Sequence, residues 1–123
     1  MINTINLAYY SHSVKTYNSD KEKKEYDFLK KIIKGHVICP NQHIGKLESS
    51  EIYQNIIKKV DCVFVSDNEG FIGKGSYNEC LNALENNIPV FVIKNKNNNL
   101  ELEKVTKIIQ VSEYNLFQFG KII

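Results

Sequence analysis

Val60-Asp61-Cys62-Val63-Phe64-Val65, a glycine-bearing loop from Ser66 to Gly75, a helical stretch from Ser76 to Asn86, and then Pro89-Val90-Phe91-Val92-Ile93-Lys94 decide the fold. Residues 62–65 are almost continuously apolar, as a strand buried on both faces must be. Leu81, Ala83 and Leu84 make one apolar face of the intervening helix, and Asn87 with Pro89 ends it. A strand, a helix and a second apolar strand in that order make one βαβ unit.

Working outward, the same alternation recurs on the N-terminal side. Ile5, Leu7 and Tyr9 alternate along an opening strand that ends near residue 9. From Asp20 to Lys34, Tyr26, Leu29, Ile32 and Ile33 repeat at helical spacing, and Gly35 closes the segment. The run Lys21-Glu22-Lys23-Lys24-Glu25 reads as the solvated face of that helix. His36-Val37-Ile38-Cys39 is a short strand halted by Pro40, and a polar loop with Gly45 follows. Ser49 or Ser50 then caps a helix to Lys59 with Ile52, Ile56, Ile57 and Val60 inward. The order βαβαβαβ predicts an α/β fold: three layers, a mainly parallel sheet of four to five strands with helices on both faces, flavodoxin/Rossmann-like. Past the Asn95–Asn99 turn, residues 100–111 read as one or two edge strands. Residues 100–123 form a C-terminal extension whose Tyr114, Leu116, Phe117 and Phe119 must dock on the domain or on a partner subunit.

Length and composition bound the rest. A chain of 123 residues, 42% hydrophobic and 24% charged, suits a single globular domain spanning 1–123. The net charge is +2 and all 16 basic residues are lysine, so the forked reader of guanine and phosphate is missing and nucleic acid is not the expected partner. No apolar run approaches the roughly 20 residues that cross a bilayer, and the N-terminus shows no secretory pattern. A cytoplasmic protein without a membrane partner is the expectation. Cys39, Cys62 and Cys80 are an odd number beside apolar segments, which points to reduced thiols.

Ligands of open parallel sheets bind beyond the carboxyl ends of the strands. That directs attention to the loops Tyr9–Ser13, Pro40–Lys46 and Ser66–Ser76. In the last of these, Gly70, Gly73 and Gly75 permit close backbone approach just before a helix N-terminus, where a phosphate or sugar hydroxyl can meet several N–H groups. A Walker loop is excluded because position 68 is Asn and Gly75 stands where Ser or Thr would bind magnesium. A phospho-receiver needs acids after the first strand, where Tyr9-Tyr10-Ser11 stand. His36, Cys39 and His43 are close in sequence, but residues 36 and 39 of a strand face opposite ways, so no metal site is expected.

The opening strand with its polar exit, the residue 60–65 strand, the Gly75-x-x-x-Glu79 spacing and the following Ala83-Leu84-x-x-x-x-Pro89-Val90 resemble the nucleoside 2-deoxyribosyltransferase superfamily, taken to include the nucleotide N-glycoside hydrolases. The resemblance covers residues 3–94. It implies N-glycosidic bond transfer or hydrolysis on a small-molecule nucleoside or nucleotide, with no cofactor, through Glu79 as nucleophile. Asp67 is then the candidate second carboxylate for proton transfer to the base. Candidate ligand contacts are Tyr9, Tyr10, Ser11 and His12 at the first strand's exit and Gly73, Lys74, Gly75 and Ser76 in the glycine loop. Toll/interleukin-receptor-like domains that cleave NAD are similar in outline, and a non-catalytic nucleotide-binding or sequestering protein on the same scaffold is the alternative from another class. Glu79 also has a purely structural reading, since Ser76-x-x-Glu79 is the spacing of a capping box. The apolar tail predicts a homo-oligomer.

Overall fold

The computed structural model describes residues 4–43, 50–111 and 117–123. Gly45, Ser49, Tyr114 and Leu116 lie outside these. Eight strands occur among the described residues: β1 (Leu7–Ser11), β2 (His36–Ile38), β3 (Cys62–Ser66), β4 (Phe71–Ile72), β5 (Val90–Lys96), β6 (Asn99–Val105), β7 (Ile108–Gln110) and β8 (Gly120–Ile122). The helices are α1 (Asp20–Ile32), α2 (Pro40–His43), α3 (Ser50–Ile57) and α4 (Lys74–Glu85), with a 3-10 turn at Val14–Thr16.

The main sheet has the order β2-β1-β3-β5-β6. Its first four strands are parallel, and β6 returns antiparallel to β5 through a two-residue turn at Asn97 and Asn98. Both turn residues have positive φ, 54° and 67°, which the short polar asparagine side chain tolerates. The chain is therefore α/β with a mainly parallel five-stranded sheet, as its alternation of elements predicts. Because β2 and β3 flank β1 on opposite sides, the order reverses beside β1, and the crevice at the carboxyl ends of β1 and β3 is where such a sheet binds ligands.

Strand pleating divides the core. Tyr9, Val63, Val65, Val90 and Val92 pack with Ile57 of α3 and Cys80 and Ala83 of α4. Their strand neighbours Ala8, Tyr10, Phe64, Phe91 and Ile93 pack with Leu29 of α1 and Ile33 just beyond it. Helix α1 is opened by Ser19, whose hydroxyl accepts from the Glu22 amide, and carries Lys30 and Lys31 in its last turn, where they oppose the helix dipole.

Two features depart from the sequence reading. The Ser66–Gly75 stretch is not simply a loop: Phe71–Ile72 forms β4, which pairs antiparallel with β8 of the tail, and β8 pairs in turn with β7. The described part of the apolar tail thus docks on its own domain as a second, three-stranded sheet. The Lys21–Glu25 run, in turn, is not wholly solvated, because Glu22 and Glu25 are only 2% and 4% exposed. With Leu29 they fall at i, i+3 and i+7, on the helix's inward stripe, and they are tolerated there because buried hydroxyl, imidazole and amide groups meet them.

Candidate functional site

The site is built around α4. Its N-cap is Gly73, three residues earlier than a capping box at Ser76 requires, so Ser76 lies within the first turn. Glu79 therefore does not fold back onto main-chain amides. Tyr9 Oη donates to its Oε2 at 2.5 Å and Ser11 Oγ donates to its Oε1 at 2.7 Å. Residues 9 and 11 share one face of β1, since strand side chains alternate, and that face is the one α4 covers. Burial pushes the Glu79 carboxyl up to about 7, against the two hydroxyl bonds, which favour the ionised form. The same burial, reinforced by Glu79's charge and hydrogen bond, holds the Tyr9 phenol far above its ordinary value. Tyr17 is pushed up to about 12, by burial first and then by Glu79.

Glu79 lines a cavity of about 990 Å³, the upper end of the range for small-molecule sites. Its walls come from five places: Tyr9 and the β1 exit with His12 and Tyr17, the β2 exit with Asn41, α3 with Tyr53 and Gln54, the start of α4 from Gly73 to Ser76, and Phe117 of the tail. The first N–H groups of a helix have no partner within it, and the Gly73 cap has no side chain to offer them. Ser76 Oγ, on this wall, is buried and makes no hydrogen bond. A Cβ built on Gly75 would meet nothing within 4 Å. Together these features make a donor-rich recess at the positive end of α4.

Of the residues singled out in the sequence, Tyr9, His12, Gly73, Lys74, Gly75, Ser76 and Glu79 line this cavity, and Ser11 touches it through Glu79. Asp67 and Tyr10 do not line it. Asp67 is only 8% exposed; its carboxylate meets Lys94 Nζ at 2.6 Å and accepts from the Gly70 amide at 2.9 Å. The register explains this: Ser66 pairs with Ile93, so Asp67, one residue past the end of β3, lies beside Lys94 of β5. Tyr10 points to the other core, where its hydroxyl donates to Glu25 at 2.6 Å. Glu79 is the sole carboxylate among the described residues lining the cavity.

A second polar cluster borders the same cavity. Glu22 Oε2 meets His12 Nε2 at 2.7 Å and accepts from Asn41 Nδ2 at 2.9 Å, while Gln42 Nε2 donates to Oε1 at 3.3 Å. Burial works to raise the Glu22 carboxyl, but these bonds outweigh it and hold it below its ordinary value. His12 Nδ1 faces the Tyr10 carbonyl oxygen at 3.1 Å, and its ring stacks on Tyr10 at 4.0 Å. Glu22 thereby clamps the exits of β1 and β2 to α1. Cys39 joins His12 and Glu22 in a group whose potential metal-ligating atoms lie within 4.8 Å of one another. Burial, with Glu22 adding to it, pushes the Cys39 thiol up to about 12, and Sγ donates to Asn41 Oδ1 at 3.1 Å, so each of the three is engaged in a hydrogen bond.

Periodicity gave no sign of Gln54 or Tyr53, and Glu22 passed as a surface charge. Its place on the stripe of Leu29 was the one available signal. No family model matches the chain, and neither does any curated protein or solved structure.

Proposed function

We propose that the protein breaks or transfers the N-glycosidic bond of a nucleoside or nucleotide, with Glu79 as nucleophile. The observation that carries this reading is the Glu79 carboxyl itself: it lines a cavity of nucleotide size and is oriented by the hydroxyls of Tyr9 and Ser11 rather than by helix amides. In the ionised form one Glu79 oxygen attacks the anomeric carbon, the carbon–nitrogen bond breaks, and its electron pair leaves on the base, which takes a proton from water in the open cavity. Water or an acceptor base then displaces Glu79 and regenerates the carboxylate. The free amides of residues 74–76, the Ser76 hydroxyl and Lys74 suit a phosphate or sugar hydroxyl, and the half-buried Tyr17 and Tyr53 offer aromatic faces to a base.

Asp67, paired with Lys94, takes no part in this scheme. The two core clusters, one with α3 and α4 and the other with α1, support three layers with helices on both faces of the sheet, as right-handed crossovers would produce. We extend this reading to one domain over residues 1–123. A homo-oligomer remains part of the proposal through the exposed Ile109, Val111 and Ile123.

Incubation with a panel of nucleosides, nucleotides and NAD, followed by chromatography for free base, tests the reading. Base release that falls by roughly a thousandfold or more in Glu79→Gln is the expected result. Tight binding without release, unchanged by that substitution, would establish instead the non-catalytic nucleotide-binding protein, which the lack of a second acid among the described cavity residues favours. Release from NAD alone would point to the Toll/interleukin-receptor-like chemistry.

A further inference from the structure

Gln54 lines the cavity from α3, and its amide is oriented from outside the cavity. Asn82, on α4 almost one turn past Glu79, directs Nδ2 to the Gln54 main-chain oxygen at 3.0 Å and to Gln54 Oε1 at 2.7 Å. A main-chain carbonyl only accepts, so this end of Asn82 is its NH2 group, and the Gln54 atom beside it must be the oxygen. Asn82 is itself held, because Asn86 Nδ2 donates to Asn82 Oδ1 and to the Asn82 main-chain oxygen, both at 2.8 Å. Three amides in series therefore leave Gln54 Nε2 as a donor with no partner among the described residues.

Distance along α4 says which part of a ligand meets this donor. A helix rises 1.5 Å per residue, so Glu79 lies about 6 Å beyond Gly75 and Asn82 about 4.5 Å farther on. With an anion or hydroxyl at the first turn and the anomeric carbon at Glu79, the group attached to that carbon continues toward Asn82 and Gln54.

We propose that Gln54 is a specificity-determining residue that donates Nε2–H to an oxo group on the base, so that the site takes oxo-bearing pyrimidines or purines in preference to their amino-bearing counterparts. This inference rests on the nucleoside reading of the site. An exocyclic amino group opposite Gln54 sets donor against donor and leaves both without an acceptor in a partly desolvated pocket. Inverting the preference needs only a switch at Gln54 from donor to acceptor, which Glu supplies at nearly the same size while still accepting from Asn82.

The test is calorimetric binding of two matched pairs, deoxyuridine against deoxycytidine monophosphate and deoxyinosine against deoxyadenosine monophosphate, to full-length protein carrying Glu79→Gln so that no ligand is consumed. The oxo member of each pair binds about tenfold or more tighter. Adding Gln54→Glu reverses the order, and Asn82→Ala, which frees the Gln54 amide to rotate, shrinks the preference to about threefold or less while binding persists. Equal binding of both members, or a preference untouched by either substitution, overturns the role of Gln54 and leaves the nucleotide reading standing. No binding of any of the four ligands to this protein or to the wild type overturns both. If Gln54→Glu does not fold, Asn82→Ala decides.

Discussion

Glu79 combines two opposed demands. The nucleophile role proposed for Glu79 requires an ionised carboxylate, yet burial favours the neutral form, and the Tyr9 and Ser11 hydroxyls only partly compensate. Its carboxyl titrates near 7 when folded and near 4.5 in the unfolded chain. The native state thus keeps a proton that the unfolded state has released, and stability falls as pH rises from about 4.5 to about 7. Glu79→Gln, neutral throughout, should match the wild type in denaturant titrations near pH 4.5 and exceed it by up to about 3 kcal/mol at pH 8. Identical pH dependence in the two proteins would contradict a partly buried, titrating Glu79. Under the proposed mechanism, base release by the wild type should climb as pH rises through about 7, because only the ionised carboxylate attacks.

At the scale of elements, the site depends on how closely β1 and β2 approach. Gly35 enters β2 against the start of β1, where a Cβ would lie 2.1 Å from the Asn6 carbonyl oxygen, and the His36 amide donates to that same oxygen at 2.9 Å. The obstacle is backbone, so no side chain can swing away. Gly35→Ala should cost about 3 kcal/mol, read as a shift in the urea midpoint at unchanged slope. Wild-type stability in this variant would mean that β1 and β2 pair less closely than described. The elements themselves were legible because their signal is local: Cys62–Val65 is apolar without interruption, and α1 repeats its apolar residues at helical spacing. The early start of α4 was not, since Gly73 caps without a side chain and leaves no polar signature, whereas Ser76 imitates a cap. Glu22 and Glu25 were misread because composition marks charges as surface, while helix phase places these two on the inward stripe.

For the molecule as a whole, the tail braces the helix that carries Glu79. Phe119 packs edge-on against Tyr77 of α4 at 5.2 Å, Ile122 joins the core beside Ile72 and Ile108, and the Ile122 amide donates to the Gly70 carbonyl oxygen at 2.9 Å. Removing residues 117–123 uncovers this apolar surface and should lower stability by roughly 2–4 kcal/mol, with a rise in binding of a hydrophobic dye. An unchanged melting temperature would show that β8 is dispensable. Among the described residues no helix is long and apolar enough to cross a membrane.

Sequence alone determined the order of the main sheet's strands and of the three longer helices between them, and the membership of the central strands in the core, because hydrophobic period acts over a few residues at a time. Only the tertiary structure decided that Glu79 meets Tyr9 and Ser11 from a strand some seventy residues earlier, that Asp67 is held by Lys94, and that Asn82 turns the Gln54 amide. Those partners are chosen by sheet register and by how helices dock across it, and packing of that kind acts between segments that no local pattern connects.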